Sequence, residues 1–530
     1  MAFTRRYFFY GSLLAGAVRP GFGATASLKA AGYKSPNEKL NFAAIGSGGQ
    51  GASNIRAAAP TENIVALCDV DDRRAADTFK AHPNATTYRD FRQMLDKEGK
   101  NIDAVIVATP DHMHATAAMW CMERGKHVYV QKPLVRTIWE ARQLRDAAAK
   151  YRVATQMGNQ GYSNEGTRQC AEMIWSGEIG NVTEVHAWSD RPLWPQGLTE
   201  IPPEDPVPST LDWDLWLGVA EKRPFTAGGK TEPDKWGGFF YQPFNWRGFY
   251  DFGCGALGDM ACHILGAPNM ALHLSKRKVI GVECIKKEGV SPFQFPKASV
   301  IRYDFAAYQD MPPLKVFWYD GMKETPKIPG VPEGEWLGDL PMIMREGGPG
   351  GPGAPSAQGG RRGQGGGGGF GPGGPGQQAG FDFHSPGRVF NMESYQALRA
   401  PEAKLRFPSP DGSVFIGDKG MLTTGTYGEM TRLIPVEKMQ DYRMPQPLLT
   451  RSPGHMRDFI RACKGGDPAC SNFDVAAPFV EWMLLGVIAL RNEGKLEYDP
   501  DKMRITNNAE ANKLLKPTFR KGWEFHSVRT

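Results

Sequence analysis

The chain has 530 residues, 41% of them hydrophobic, which is enough for two or three domains with sizeable cores. Its 63 Lys and Arg against 57 Asp and Glu leave a net charge of +6 with no basic stripe, so nucleic-acid binding has no support. The eight Cys show neither C-x-x-C nor zinc-ligand spacing, and the sequence offers no metal site.

Thr4-Arg5-Arg6-Tyr7-Phe8-Phe9 is a twin-arginine pattern, followed by a modest apolar stretch from Tyr10 to Val18 and a cleavage point after Ala24-Thr25-Ala26. Residues 1–35 therefore read as an export signal and linker. The apolar stretch is too short and too Gly/Ala-rich to span a bilayer, and no later run approaches that length, so no membrane span is expected once the signal is removed. The expected location is the periplasm, reached folded. Folding in the reducing cytoplasm also accounts for cysteines in no disulfide pattern.

From residue 36 to about 160 the pattern alternates strand and helix. An apolar run, Phe42 to Ile45, ends in Gly46-Ser47-Gly48-Gly49-Gln50-Gly51, which is G-x-G-x-x-G between a strand and a helix. The first glycine serves the tight turn, the second the approach of a pyrophosphate, and the third close helix–strand packing. The strand Asn63 to Cys68 then delivers Asp69, about 20 positions on, where an acidic residue accepts hydrogen bonds from a ribose diol. Asp71 and Asp72 follow and oppose a 2′-phosphate, so NAD is preferred over NADP, with Arg73 and Arg74 on the other side of that balance. Further helices are expected over Asp72–Ala81, Tyr88–Lys97, Ala115–Arg124 and Thr137–Lys150. Strands are expected over Ile102–Ala108, His127–Val130 and Val153–Met157. Such alternation implies a parallel sheet wrapped by helices, a Rossmann dinucleotide-binding domain.

Residues 161–530 read as a second, α+β domain. After a helix over Thr167–Ser176 and a strand over Val182–Ser189, the Pro/Trp-rich passage from Arg191 to Arg247 is too long and too aromatic for a linker. Most of its Trp should be core, and some suit sugar stacking. Period-two runs at Val279–Lys286, Ala298–Phe305, Leu314–Tyr319, Ser413–Ile416 and Met421–Thr424 predict an open, mostly antiparallel sheet. One of its faces needs cover, most cheaply from a second copy of the chain. Residues 347–380 are nearly all Gly, Pro, Gln and Arg and read as a disordered insertion. The apolar run from Ala477 to Arg491 predicts a buried helix.

Three constellations carry chemistry. Thr109-Pro110-Asp111-His112-Met113-His114 follows a sheet strand, at the edge where doubly wound sheets bind ligands. His112 and His114 suit a nucleotide contact or loop structure, since no third residue completes a metal site. Gln131-Lys132-Pro133 ends the next strand, where a lysine can hold a substrate hydroxyl and stabilise the developing alkoxide. Asp259 and His263 stand at i and i+4 on one helix face, so the carboxylate can orient the imidazole as a general base.

In order and spacing, the glycine turn, the Thr-Pro-Asp-His-x-His segment, Lys132-Pro133 and the D-x-x-x-H helix resemble the Gfo/Idh/MocA oxidoreductases, the group of glucose-fructose oxidoreductase and inositol dehydrogenase. Met157-Gly158-Asn159-Gln160, Trp188 to Gln196, Asp212 to Gly218 and Asn245 to Asp259 resemble an exported bacterial subgroup of it. The resemblance implies a C-terminal α/β domain whose open sheet forms a homo-oligomer interface. It also implies Lys132 as the substrate-orienting lysine and His263 as the base, with Asp259 behind it. The cofactor would be held by Gly46, Gly48, Gly49, Gly51 and Asp69, by Thr109, Pro110, His112 and His114, and by Gln131 and Asn159. Arg191, Trp194, Arg247 and Tyr250 are candidate sugar contacts. Gln131 departs from the family's usual Glu before Lys-Pro, which removes a charge beside Lys132.

The expected activity is NAD-dependent oxidation or reduction of a secondary hydroxyl on a sugar, cyclitol or glycoside. Export argues for a cofactor bound before transport and recycled within one cycle. That also fits glycoside cleavage by oxidation and elimination, the alternative reading. A noncatalytic sugar-binding protein is a third, resting on Gln131 and the Trp-rich passage.

Overall fold

The computed structural model of the chain describes residues 37–229, 240–343, 389–406 and 411–528. The twin-arginine segment and the Gly/Pro-rich insertion at 347–380 lie outside these residues. Asn41–Ile45 forms β1, which pairs in parallel with β2 (Asn63–Cys68) on one side and β4 (Ala104–Val107) on the other. With β3 (Thr86–Tyr88), β5 (His127–Gln131) and β6 (Thr155–Gly158) they build a six-stranded sheet in the order β3-β2-β1-β4-β5-β6. The order reverses between β1 and β4, and a crevice opens there at the carboxyl ends of the strands. Every residue of β4 is buried, because helices cover both faces; this is why it reads as a continuous apolar run.

Two helices of the Rossmann domain begin well away from where the sequence pattern predicts. The one expected from Tyr88 starts at Phe91, since Thr86–Tyr88 adds the edge strand β3 and Asp90 caps the helix by accepting from Arg92 N. The one expected from Ala115 starts at Asp111 and runs to Glu123. Pro110 precedes it, where the missing N–H costs no helical bond. Asp111, His112 and His114 therefore sit in the first turns of a helix, not in a loop.

The second sheet is mixed and mostly antiparallel. Its strands are β7 (Val182–Trp188), β8 (Val279–Glu288), β9 (Ala298–Phe305), β10 (Leu314–Asp320), β13 (Gly412–Gly417), β14 (Met421–Thr424), β15 (Arg432–Ile434), β16 (Lys495–Asp499) and β17 (Arg504–Ile505). They run in the order β15-β14-β13-β7-β10-β9-β8-β16-β17. A small ribbon of β11 (Met342–Ile343) and β12 (Leu405–Arg406) stands apart. Among the described strands of the large sheet, β7 and β10 are the parallel pair. Ser299, Ile301, Tyr303 and Phe305 of β9 turn inward, and Val300, Arg302 and Asp304 turn to the half-covered face. The inner face meets the helix Phe473–Leu490, where Trp482 stands edge-on to Tyr303 and Tyr303 Oη donates to Met483 O. That helix is apolar and long enough to cross a membrane, and it is mostly buried inside the fold.

Distant segments return to the Rossmann sheet. The helix His455–Cys463 sets Phe459 against Phe42 and Tyr129, and Lys464 pairs with Glu62 at 2.8 Å. Near the C-terminus, Phe525 stacks on Trp139 and Val528 N donates to Gln143 Oε1. In the Pro/Trp-rich passage, Trp213 stacks on Trp216 at 4.8 Å, and both pack with Tyr241 in one aromatic cluster. All eight cysteines are free thiols.

Candidate active site

One continuous cleft of about 430 Å³ opens beside the crevice at β1 and β4. It runs from Gly46, Gly48, Gly49 and Asp69 past Thr109 and Pro110 to Gln131 and Lys132, and ends among Arg191, Arg247, Asp259 and His263. The glycine turn is sterically required. Gly46 has φ +86°, and an added Cβ would stand 2.5 Å from Ala108 O. At Gly51 it would stand 1.9 Å from Gly46 O, so the helix Gln50–Ala58 packs on β1 only without a side chain there. At Gly48 it would meet Arg74 O at 2.7 Å, so this glycine also serves packing against the next crossover.

Asp69, just past β2, ties the turn together. Its Oδ2 accepts from Ser47 N at 2.8 Å and Gly48 N at 3.0 Å, and its Oδ1 from Asp71 N at 3.0 Å. Oδ2 spends both lone pairs on these amides, and Oδ1 keeps a second one for a ribose hydroxyl. Burial raises the Asp69 carboxyl against these bonds. Farther along, Gln131 Nε2 is buried without a partner, and an unpaired buried amide costs on the order of 1–3 kcal/mol. A dinucleotide with its own carboxamide fits that donor, the glycine turn and Asp69.

At the far end Lys132 follows β5 and donates from Nζ to Asp259 O at 2.5 Å and Asp259 Oδ1 at 2.7 Å. Arg247 Nε donates to the same Oδ1 at 2.9 Å, and Arg191 Nε stands 3.8 Å from Oδ2. Burial alone would raise the Asp259 carboxyl, but Lys132, Arg247 and Arg191 outweigh it and hold the group far below the usual range. Asp259 lies in a π turn, Leu257–Ala261, a wide helical turn frequent at functional sites. The expected pairing with His263 is thus corrected: among the described residues Asp259 has no hydrogen bond to His263, because three cations claim its oxygens. His263 is buried, edge-on to Tyr427 at 4.8 Å, and its Nδ1 has no partner. Burial first, then Lys132, pushes this imidazole well below its ordinary value.

Four more expectations change. His112 and His114 do not line the cleft. The helix that starts at Asp111 turns them inward, where His112 Nε2 meets Trp216 O at 3.1 Å and His114 bridges Pro133 O at 2.7 Å and Thr109 O at 2.9 Å. Burial lowers them to about 3 and about 4, so both are neutral structural imidazoles, and His114 donates to one of its two carbonyls at a time. Tyr250 also points elsewhere. Phe249 bridges Gln294 in an extended pairing, which sends successive side chains to opposite sides, and Tyr250 packs on Phe295 beneath Arg491. Trp194 lies behind the wall, edge-on to Phe244 with Nε1 on Gln196 Oε1 at 2.9 Å, and Phe244 itself faces the cleft. Asn159 is fully buried behind Gln160, and its side-chain oxygen and nitrogen both lack partners.

Sequence reasoning gave no role to Asp111, Gln160, Phe244, Trp246 or Tyr427, all of which line the cleft. Asp111 had a signal, an acidic residue directly after Thr-Pro at a sheet edge. Tyr427 had none, since it arrives from β14's far loop. Asp111 accepts from Cys254 N at 3.1 Å, and burial pushes its carboxyl up to about 7 against the pull of Arg247 and Lys132.

Residues 40–159 match the family model described as an oxidoreductase family with an NAD-binding Rossmann fold, and 175–288 match its C-terminal alpha/beta domain. An inositol 2-dehydrogenase from Rubrobacter xylanophilus is 26% identical over 31% of this chain and 47% of its own length. A glycosyl hydrolase family 109 protein from Solibacter usitatus is 30% identical over 30% of this chain and 39% of its own. The chain thus spans under half the length of these curated relatives. The WlbA dehydrogenase from Bordetella pertussis, solved with NADH and UDP-GlcNAcA, superposes with a TM-score of 0.50 at 13% identity, over 87% of this chain and 99% of that one, a likeness of fold. The NAD-binding Rossmann domain over residues 40–159 and the α/β domain over 175–288 are thus those of the Gfo/Idh/MocA oxidoreductase family.

Proposed function

We propose that the protein oxidises or reduces a secondary hydroxyl on a sugar, cyclitol or glycoside with NAD. The observation that carries this is the single cleft joining the glycine turn to Lys132 and His263. The turn, the N-terminus of the helix Gln50–Ala58, Asp69, Thr109, Pro110 and Gln131 would hold the cofactor, which when bound accepts or returns the hydrogen of the carbinol carbon. Lys132 spends two N–H groups on Asp259 and keeps a third for the substrate oxygen, where it stabilises the developing alkoxide. Neutral His263, which lines the same cleft, can take the hydroxyl proton. Asp259 positions Lys132.

The glycosyl hydrolase relative favours a second reading, in which oxidation acidifies a neighbouring C–H and permits elimination of a glycosidic leaving group. Incubating the protein with glycosides and no added NAD separates the two. Aglycone release without net cofactor turnover identifies cleavage, and stoichiometric NADH identifies a dehydrogenase. Sugar binding with neither product identifies a noncatalytic protein and sinks the proposal. Twin-arginine export belongs to the same reading and is tested by the location of the protein after cell fractionation. Pairing of two copies through the half-covered sheet face, at Val300, Arg302 and Phe317, is tested by light scattering, where a monomer would refute it.

A further inference from the structure

The sugar end of the cleft is built for charge. Lys132, Arg191 and Arg247 all line it, with side chains 15%, 4% and 19% exposed. Asp190 is taken by Arg191 Nη1. Asp259 is shared by Lys132 and Arg247, so two carboxylates face three cations. The next carboxyls are Asp111 and, against Asp190 and Arg191, Asp411; burial pushes both up to about 7, so each is about half protonated at neutral pH. Arg247 lies flat on Phe244, 4.1 Å from the ring centroid, and 4.3 Å from that of Trp246. This pins the guanidinium at the cleft wall while Nε is on Asp259 and Nη1 on Phe244 O. Buried Arg191 Nε makes no hydrogen bond. An enclosed, part-apolar site with fixed guanidinium groups, and with surplus positive charge whenever Asp111 and Asp411 are protonated, is costly without an anionic partner. It matches the planar oxygens of a carboxylate or those of a phosphate.

We infer that the substrate is a sugar bearing an anionic group, received by Arg191 and Arg247 while a neighbouring hydroxyl meets Lys132. This rests on the proposed reaction for the placement of the hydroxyl, but the recognition of the anion is separable from turnover. The test is equilibrium binding to the NAD-loaded protein, read by the fluorescence of the cleft tryptophans Trp216 and Trp246 or by calorimetry. The probes are a hexose, the matching hexuronate and the matching hexose 6-phosphate. At least one anionic sugar should bind about tenfold or more tighter than the hexose, the worth of one charge-assisted bidentate contact. The two anionic arms tell which group is read. In Arg247→Met the anionic-to-neutral affinity ratio should fall towards one, a readout that general damage to the cleft does not produce. Equal or tighter binding of the neutral hexose, or an unchanged ratio in both Arg247→Met and Arg191→Met, would overturn the inference. Turnover of neutral sugars alone would spare the proposed reaction and sink only the anionic specificity. Anion-selective binding with no turnover of any sugar would do the reverse.

Discussion

Lys132 Nζ stands 2.5 Å from the main-chain oxygen of Asp259 and 2.7 Å from its Oδ1, across 127 positions of sequence. Both oxygens come from the π turn Leu257–Ala261, so one wide helical turn fixes the lysine twice. Replacing Lys132 with Met should lower turnover by on the order of 10²–10³, the worth of one donor aimed at a developing oxyanion. NAD affinity should change little. Asp259→Asn should cost less, because the main-chain oxygen still holds Nζ. Steady-state kinetics and an NAD titration on both variants check the ranking, and an equal loss in the two would show Asp259 acting beyond its hold on Lys132.

In the proposed reaction His263 works as a neutral base. Burial, aided by Lys132, holds its imidazole well below the ordinary histidine value, so it does not titrate between pH 6 and 8. The profile of kcat/KM against pH should lack a limb near the ordinary histidine pKa of about 6.5. His263→Ala should lower kcat on the order of 10²–10⁴ at every pH in that window. A limb near 6.5 that disappears in the variant would contradict this.

The glycine turn gives a steric prediction with its own control. In Gly51→Ala the new Cβ meets Gly46 O at 1.9 Å, so helix and strand must separate. The cost should reach at least the roughly 1–3 kcal/mol of core overpacking, with loss of NAD binding. Gly99 ends the helix Phe91–Glu98 with helical φ, and an added Cβ there meets nothing within 4 Å. Gly99→Ala should leave stability unchanged or raise it by up to about 1 kcal/mol. Thermal melts with and without NAD compare them.

These contrasts show what the sequence carries. The strand ends that build the site were legible because period, glycine spacing and a following acidic residue are local signals. β9 and β14 fall where their alternation puts them, at Ala298–Phe305 and Met421–Thr424. The partner of Asp259 was not legible. The spacing of Asp259 and His263 assumes a regular α-helix, and the π turn together with three cations from elsewhere in the chain redirects the carboxylate. His112 and His114 were misplaced for a related reason: Thr109-Pro110 reads as a turn, whereas the proline starts a helix that turns both rings inward. Tyr427 and Gln160 reach the cleft through tertiary packing alone.

Asp111 is where pH should act. Its carboxyl is buried at the first turn of the helix Asp111–Glu123, facing Arg247, Lys132, Asp259 and the Cys254 amide, and burial pushes it up to about 7. A carboxyl whose folded pKa lies above its unfolded value of about 3.9 binds its proton more tightly when folded, so the group costs stability as pH rises from about 4 to about 7. Asp111→Asn keeps an acceptor for Cys254 N and removes that charge. It should therefore raise Tm relative to the parent by an amount that grows over this window and levels off above it. Ionised Asp111 also adds a negative charge beside Arg247 and Lys132. Affinity for an anionic sugar should fall as pH passes about 7 in the parent and fall less steeply in Asp111→Asn, where Asp411 beside Arg191, also pushed up to about 7, still ionises. Melting and binding measured on both proteins from pH 5 to pH 9 check the two slopes together. A parent whose affinity rises through pH 7 would mean that ionised Asp111 helps to hold the sugar and does not repel it.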